Sequence, residues 1–288
     1  MPVSVVFGAS GAIGRFLLPR LLEADHDVVA VSREARTSGN ARLRWIAGSL
    51  PDGMPPLTAA ARLFSLGPLD AFAAWFAARG PRDARVIAIG SRSVDTKKDS
   101  ADAGEREVAG RLARAEETLA RIADEGTRIT VLRPTLIYGA GIDRSLSPIV
   151  AFARRWRVFP YIADARGLRQ PVHAEDLANA CIALARTMSS HRIYDLGGGE
   201  RIAFSDMLRR VRESLPFAAL AMPVPIAWAS AGARLARISP AFRAAGAGAL
   251  ARMRDDLVAD HAAAVADFGW SPRAFHPGPR DWTPPPLP

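Results

Sequence analysis

The stretch 3–24, "VSVVFGASGAIGRFLLPRLLEA", constrains the fold more than any other part of this chain. An apolar run ends at Gly8, glycines recur at 11 and 14, and a helical pattern then puts Leu17, Leu18, Leu21 and Leu22 on one face. A strand that turns through glycines straight into a helix brings its backbone close to whatever lies above the turn. It also presents the unpaired N–H groups and the positive dipole end of the helix N-terminus. This suits a pyrophosphate held by Gly8, Ser10, Gly11, Ala12, Ile13 and Gly14, with the Ser10 hydroxyl as an added donor. The same glycines would also serve an ordinary βα turn with close packing; the strand–loop–helix context favours the anion. Pro19 is tolerable if it lies within the first turns of the helix.

Beyond this unit, short apolar runs alternate with helical patterns. The strands predicted at 27–33, 43–50, 61–69, 84–91 and 127–139, with a helix following Leu69 and a long amphipathic one over 105–126, imply βαβ units and a parallel sheet. Gly126 is a candidate stop for the long helix. The pattern is less regular later, with a helix over 173–187, a strand over 192–200, a helix over 204–215 with Ser205 as its N-cap, and an extended proline-rich tail. The fold class is therefore α/β, a Rossmann-type doubly wound parallel sheet. A dinucleotide-binding domain is expected over 1–165, with sheet contributions from later segments, and a smaller substrate or lid lobe over 166–288.

The net charge of +9 invites a polyanionic partner, but the arginines are scattered among acids and no basic stripe forms, so nucleic acid is not expected. One cysteine, Cys181, lies in an apolar run; it excludes an internal disulfide, and no metal site is expected. The apolar start carries no charged leader, which points to the cytoplasm. The run 214–233 has no charged residue but holds three prolines, Pro216, Pro223 and Pro225. It reads as a buried or lid-forming segment rather than a peripheral membrane contact.

The end of the second strand selects the cofactor. An acidic residue there would bond a ribose 2′-hydroxyl; this chain has Ser32 and Arg33, and Arg33 can fork onto a 2′-phosphate. NADP is favoured, with NAD as the alternative, and Arg33 paired to Glu34 at the surface as the bland reading.

With "FGASGAIGR", "RVIAIGSRS", "LRPTLIYGAG", "GLRQPVHAEDLANA" and "YDLGGGE" in this order, the chain resembles the extended or atypical branch of the short-chain dehydrogenase/reductase superfamily, the sugar-nucleotide epimerases and dehydratases. The resemblance covers most of the chain. It implies that Ser65, Leu66 and Gly67 lie under the cofactor and that Pro134, Thr135 and Leu136 flank the nicotinamide. Ser91 or Ser93 would stand where the catalytic serine stands, and Arg169 and His173 would face the substrate. Arg169 could instead make a surface ion pair, and His173 could cap a helix. A homodimer through the 105–126 helix is a further implication.

The resemblance has a gap. The family's Tyr-x-x-x-Lys pair is absent: four residues after Tyr138, Tyr161 and Tyr194 stand Ile142, Ala165 and Gly198. The corresponding helix positions hold Val108 and Leu112, which transfer no proton. The chain has two lysines, Lys97 and Lys98, and both follow the serine-bearing strand. Lys97 is the candidate replacement, with Asp95, Asp99 or Glu105 to orient it; a solvated polar loop is the alternative. Two functions follow. One is an NAD(P)-dependent oxidoreductase or epimerase acting on a sugar nucleotide or similar polar metabolite, with a non-standard proton-transfer site. The other is a catalytically silent NADP-binding sensor or assembly protein.

Overall fold

Near-continuous apolar runs such as 3–7 and 85–89 have no polar face, so strands made from them must be covered on both sides. In the computed structural model, which describes residues 3–24, 26–57, 60–124, 127–162, 165–187, 192–224 and 255–288, they form one seven-stranded parallel sheet. Its strands are β1 (Val3–Phe7), β2 (Asp27–Ser32), β3 (Leu43–Ala47), β4 (Arg62–Ser65), β5 (Arg85–Ile89), β6 (Ile129–Pro134) and β11 (Arg192–Leu196), in the spatial order β11-β6-β5-β4-β1-β2-β3. The chain leaves β1 toward β2 on one side and crosses to β4 on the other. The crevice above the carboxyl ends of β1 and β4 is thus the switch point where such sheets bind ligands.

One face carries α1 (Ala12–Glu23) and α6 (Ala174–Arg186), which pack on each other and enclose Leu17, Leu18, Leu21, Leu177, Cys181 and Leu184. The other carries α2 (Leu69–Arg79) and α4 (Ala103–Asp124), over a core that includes Phe7, Phe72, Phe76, Leu119 and Val131. Burial pushes the Cys181 thiol up to about 12, consistent with an inert core residue. A third cluster gathers α5 (Ser147–Trp156), β8 (Val158–Tyr161) and α7 (Phe204–Glu213) around Phe159, Met207 and Phe275, with β13 (Leu220–Pro223) paired to β8.

Several boundaries differ from the sequence reading, each for a local reason. The expected strand 127–139 breaks at Pro134, and Ile137–Tyr138 forms a separate β7 beside β10 (Val172–His173). The expected strand 61–69 ends at Ser65, because Leu66 and Gly67 turn the chain into α2. Ser205 does not cap α7. Ala203 occupies that position, in β12 (Ile202–Ala203), which pairs with β9 (Leu168–Arg169), while the Ser205 N–H donates to the Ala165 carbonyl. Pro19 lies in the helix interior rather than its first turns. The polar stretch after β5 contains a one-turn helix, α3 (Ser93–Thr96). The tail includes α8 (Ala262–Phe268) before it becomes extended. Gly126 and residues 225–233 of the uncharged run lie outside the described residues.

Candidate functional site

The phosphate loop is shaped by contacts that tolerate no side chain. Gly8 has φ +74° and faces the Leu66 and Gly67 backbone, where a Cβ would lie 3.0 Å from the Leu66 carbonyl carbon. A Cβ at Gly14 would lie 2.2 Å from the Ala9 carbonyl oxygen, so only glycine lets α1 close onto β1. The Gly11 N–H donates to the Gly8 carbonyl at 2.9 Å, and Gly11 in extended conformation starts the helix. Ala12, Ile13 and Gly14 form its first turn, which holds no acid to occupy the free N–H groups. Ile13 itself is buried, so its contribution to an anion is its backbone. Across the crevice, Gly67 faces open space and Ser65 is fully buried beneath it.

At the end of β2, Ser32 is buried and Arg33 exposed. The neighbour that sequence reasoning missed is Arg36. Its Nε donates to Ser32 Oγ at 3.3 Å, its Nη2 pairs with Glu34 at 2.8 Å, and its guanidinium lies 5.8 Å from the Trp45 ring centroid. Arg15, one turn into α1, is close enough that burial and Arg36 together lower its pKa. Arg33 and Arg36 thus follow the end of β2, and Arg15 reaches the same region from α1. The tail borders it too. Arg15 Nη1 donates to the Pro285 carbonyl, Ser38 Oγ donates to the Pro288 carbonyl at 3.3 Å, and Leu287 packs on the α1 core.

At the other end of the crevice, Ser91 and Ser93 follow β5, and the Ser93 N–H donates to Ser91 Oγ at 3.1 Å. The two lysines part company here. Lys97 ends α3, is three-quarters buried, and holds Glu105 of α4 at 3.7 Å, while Lys98 is exposed. Glu105 also accepts from Ser100 Oγ at 2.7 Å, so one carboxylate ties the loop to the long helix. Val108 and Leu112 are half-buried on α4, and Leu112 packs into the α2–α4 core. One turn on, Glu116 receives both arms of the Arg133 guanidinium from β6, and these bonds hold the Arg133 pKa up against burial. Arg92 joins this network through Asp95 at 2.5 Å and Asp195 at 2.6 Å; burial raises the Asp195 carboxyl although both arginines oppose the shift. Its members are distant in sequence and carry no motif, so only the fold reveals it.

β6 ends at Pro134, and the bend at Thr135 and Leu136 follows it; the Thr135 N–H and Oγ1 are taken by the carbonyls of Leu196 and Gln170. Gln170 is buried and clamps Gly198 and Ala259 through its amide, uniting "GLRQPVH" with "YDLGGGE". Arg169 is buried, donates to the carbonyls of Leu168 and Asp255, and lies 4.9 Å from the Phe204 ring; burial lowers its pKa. His173 has both ring nitrogens engaged. Nδ1 accepts from the Glu175 N–H at 3.1 Å, which puts the proton on Nε2, facing Asp281 at 3.1 Å. Gly139, with φ +104°, leaves the space that this ring fills. Among the described residues no group of three or more His, Cys, Asp or Glu side chains could hold a metal ion.

No curated protein matches the chain. Solved structures do. MoeE5 in complex with UDP-glucuronic acid and NAD aligns over 98% of this chain and 96% of its own at 19% identity, with a TM-score of 0.68. UDP-glucuronic acid 4-epimerase from Bacillus cereus in complex with NAD aligns over 98% and 97% at 13% identity, with a TM-score of 0.68. A UDP-galactose 4-epimerase aligns over 98% and 97% at 15% identity, with a TM-score of 0.67. At these identities the likeness shows the shared fold. The profile of the NAD dependent epimerase/dehydratase family matches residues 4–64 and 109–197, which include the glycine loop, α4 from residue 109 on, and β6 through β11. The chain belongs to the NAD dependent epimerase/dehydratase family.

Proposed function

We propose that this chain is an enzyme that binds NADP in the β1–β4 crevice and exchanges hydride with a sugar nucleotide or similar polar metabolite. The observation that carries the reading is the crevice itself: Gly8 against Leu66 and Gly67, and a helix N-terminus with no acid in its first turn. Those features fit a pyrophosphate. Arg33, Arg36 and Arg15 favour a 2′-phosphate over a bare ribose hydroxyl, in contrast to the neighbours solved in complex with NAD. The neighbours' UDP-sugar ligands support the substrate class.

The cofactor, when bound, supplies the hydride chemistry. The chain's own part is orientation and proton handling. With apolar Val108 and Leu112 on α4, the groups available beside β5 are the Ser91 and Ser93 hydroxyls and Lys97, which Glu105 orients. Arg169 and His173 complete the substrate side in this reading. Arg169 supplies positive charge there, and His173 fixes the loop through its two bonds. The second reading, a silent NADP-binding sensor or assembly protein, is favoured by one observation: Leu112 is part of the core rather than a proton-handling group.

The test is to load the full chain with NADP, add UDP-sugars, and follow reduced nicotinamide by its fluorescence. The enzyme reading predicts a sugar-dependent signal that Ser91→Ala and Lys97→Ala weaken. Cofactor binding with no signal from any sugar, and no change in either variant, supports the silent reading.

A further inference from the structure

The cluster of α5, β8 and β13 carries a surface that the proposed chemistry does not use. Helix α5 ends in "ARRWR", residues 153–157, and β13 runs alongside as "LAMP", residues 220–223. Trp156 is 59% exposed, Leu220 73% and Met222 41%. Pairing of β13 with β8 sets Leu220 beside Val158 and Met222 beside Pro160, and the Leu220 N–H donates to the Arg157 carbonyl at 2.8 Å. The three apolar side chains and the arginines at 154, 155 and 157 are therefore exposed on adjoining elements, the end of α5 and β13 beside β8.

Among the described residues none of these three arginines has a carboxylate partner. Two of them lie on aromatic rings instead: Arg155 is 4.8 Å from the Trp156 centroid and Arg157 is 4.8 Å from that of Phe217. The exposed acids of neighbouring α7, Asp206 and Glu213, are both occupied by Arg209. Arg157 also holds φ +57°, a left-handed position where a glycine usually ends a helix. An arginine kept there at a conformational cost points to a use for its side chain.

Exposed tryptophan and aliphatic tips among unpaired guanidinium groups match the chemistry of one partner, the headgroup and upper acyl region of an anionic bilayer. Arginine pairs with lipid phosphate, indole sits at the interface, and the aliphatic groups enter just below it. A nucleic acid would take the arginines but offers nothing to Leu220 and Met222. No helix among the described residues is long and apolar enough to cross a membrane, so the contact would be peripheral. We propose that the Arg154–Arg157 and Leu220–Met222 surface docks this protein on anionic phospholipid.

The full chain is floated with vesicles of phosphatidylcholine, alone or doped with phosphatidylglycerol. Binding is expected only to the doped vesicles, falling about tenfold or more in Arg154→Glu/Arg155→Glu, since each basic residue near an anionic surface contributes severalfold to affinity. Trp156→Ser/Leu220→Ser is expected to weaken vesicle binding similarly while leaving retention on heparin unchanged. All these side chains are exposed, and NADP affinity serves as the check that each variant is folded. No binding to the doped vesicles, equal binding to both kinds, or vesicle binding unchanged in the apolar variant would overturn the proposal; the last would mark a site for soluble polyanions.

Discussion

The two ends of the crevice are built from different materials. The phosphate end, between Gly8, Gly14 and the α1 N-terminus, is backbone geometry, and each glycine is held by a contact that any side chain would spoil. The far end, from Ser91 to Glu105, is side-chain chemistry on a one-turn helix and its loop. The family profile covers 4–64, with the glycine loop, and 109–197; it leaves out 65–108, which holds Leu66 and Gly67 against Gly8 as well as Ser91, Ser93 and Lys97 at the far end. Binding a pyrophosphate requires the fold, so the loop stays recognisable. Handling a proton requires only one suitable group within reach, so its address in the chain is free to change.

Three experiments probe this contrast. The largest effect belongs to the backbone end. Gly14→Val forces a branched side chain into the Ala9 carbonyl, and is expected to destabilise the chain by about 1–3 kcal/mol or more and to abolish cofactor binding. Thermal melts and calorimetric titration read both; a variant that melts and binds like wild type would break the backbone half of the comparison. Next comes Lys97→Ala. Loss of a positioned proton-transfer group lowers kcat/KM by about a hundredfold or more, with NADP affinity kept. Lys98→Ala, at an exposed position, stays within about twofold by the same reasoning, and equal losses in both variants would return the pair to a solvated loop. The smallest effect is with pH. The affinity for NAD, used to avoid titration of the 2′-phosphate, is expected to stay flat across the neutral range because backbone amides and arginines hold their state. Turnover should instead vary with pH, since lysine and carboxylate groups serve the far end. An affinity that follows turnover would merge the two ends into one titrating site.

Much of the sheet, with the glycine turn from β1 into α1, was legible in the sequence because glycine spacing, strand and helix are local signals. The parallel sheet followed from alternating apolar runs, and the rejection of a disulfide framework from the single Cys181. The far end was legible only as a gap: Val108 and Leu112 show what is missing, but not what replaces it. Arg36 escaped notice because a loop arginine gains meaning only when Ser32 and Trp45 hold it at the end of β2. Asp281 escaped for a different reason, since it meets His173 across 108 residues. The Arg92–Arg133–Asp195–Glu116 network likewise joins the start of α3 with β6, β11 and α4, and no window along the chain contains it.

The central claim is that the arginines at the end of β2 make this crevice an NADP site. Calorimetric titration of the full chain with NADP and with NAD, repeated in Arg33→Asp/Arg36→Asp, tests it most directly. The account predicts that wild type binds NADP about tenfold or more tighter than NAD, about 1.4 kcal/mol, and that the double variant loses this preference while still binding NAD. A wild type that binds neither dinucleotide, or that prefers NAD to the same extent as the double variant, would contradict it.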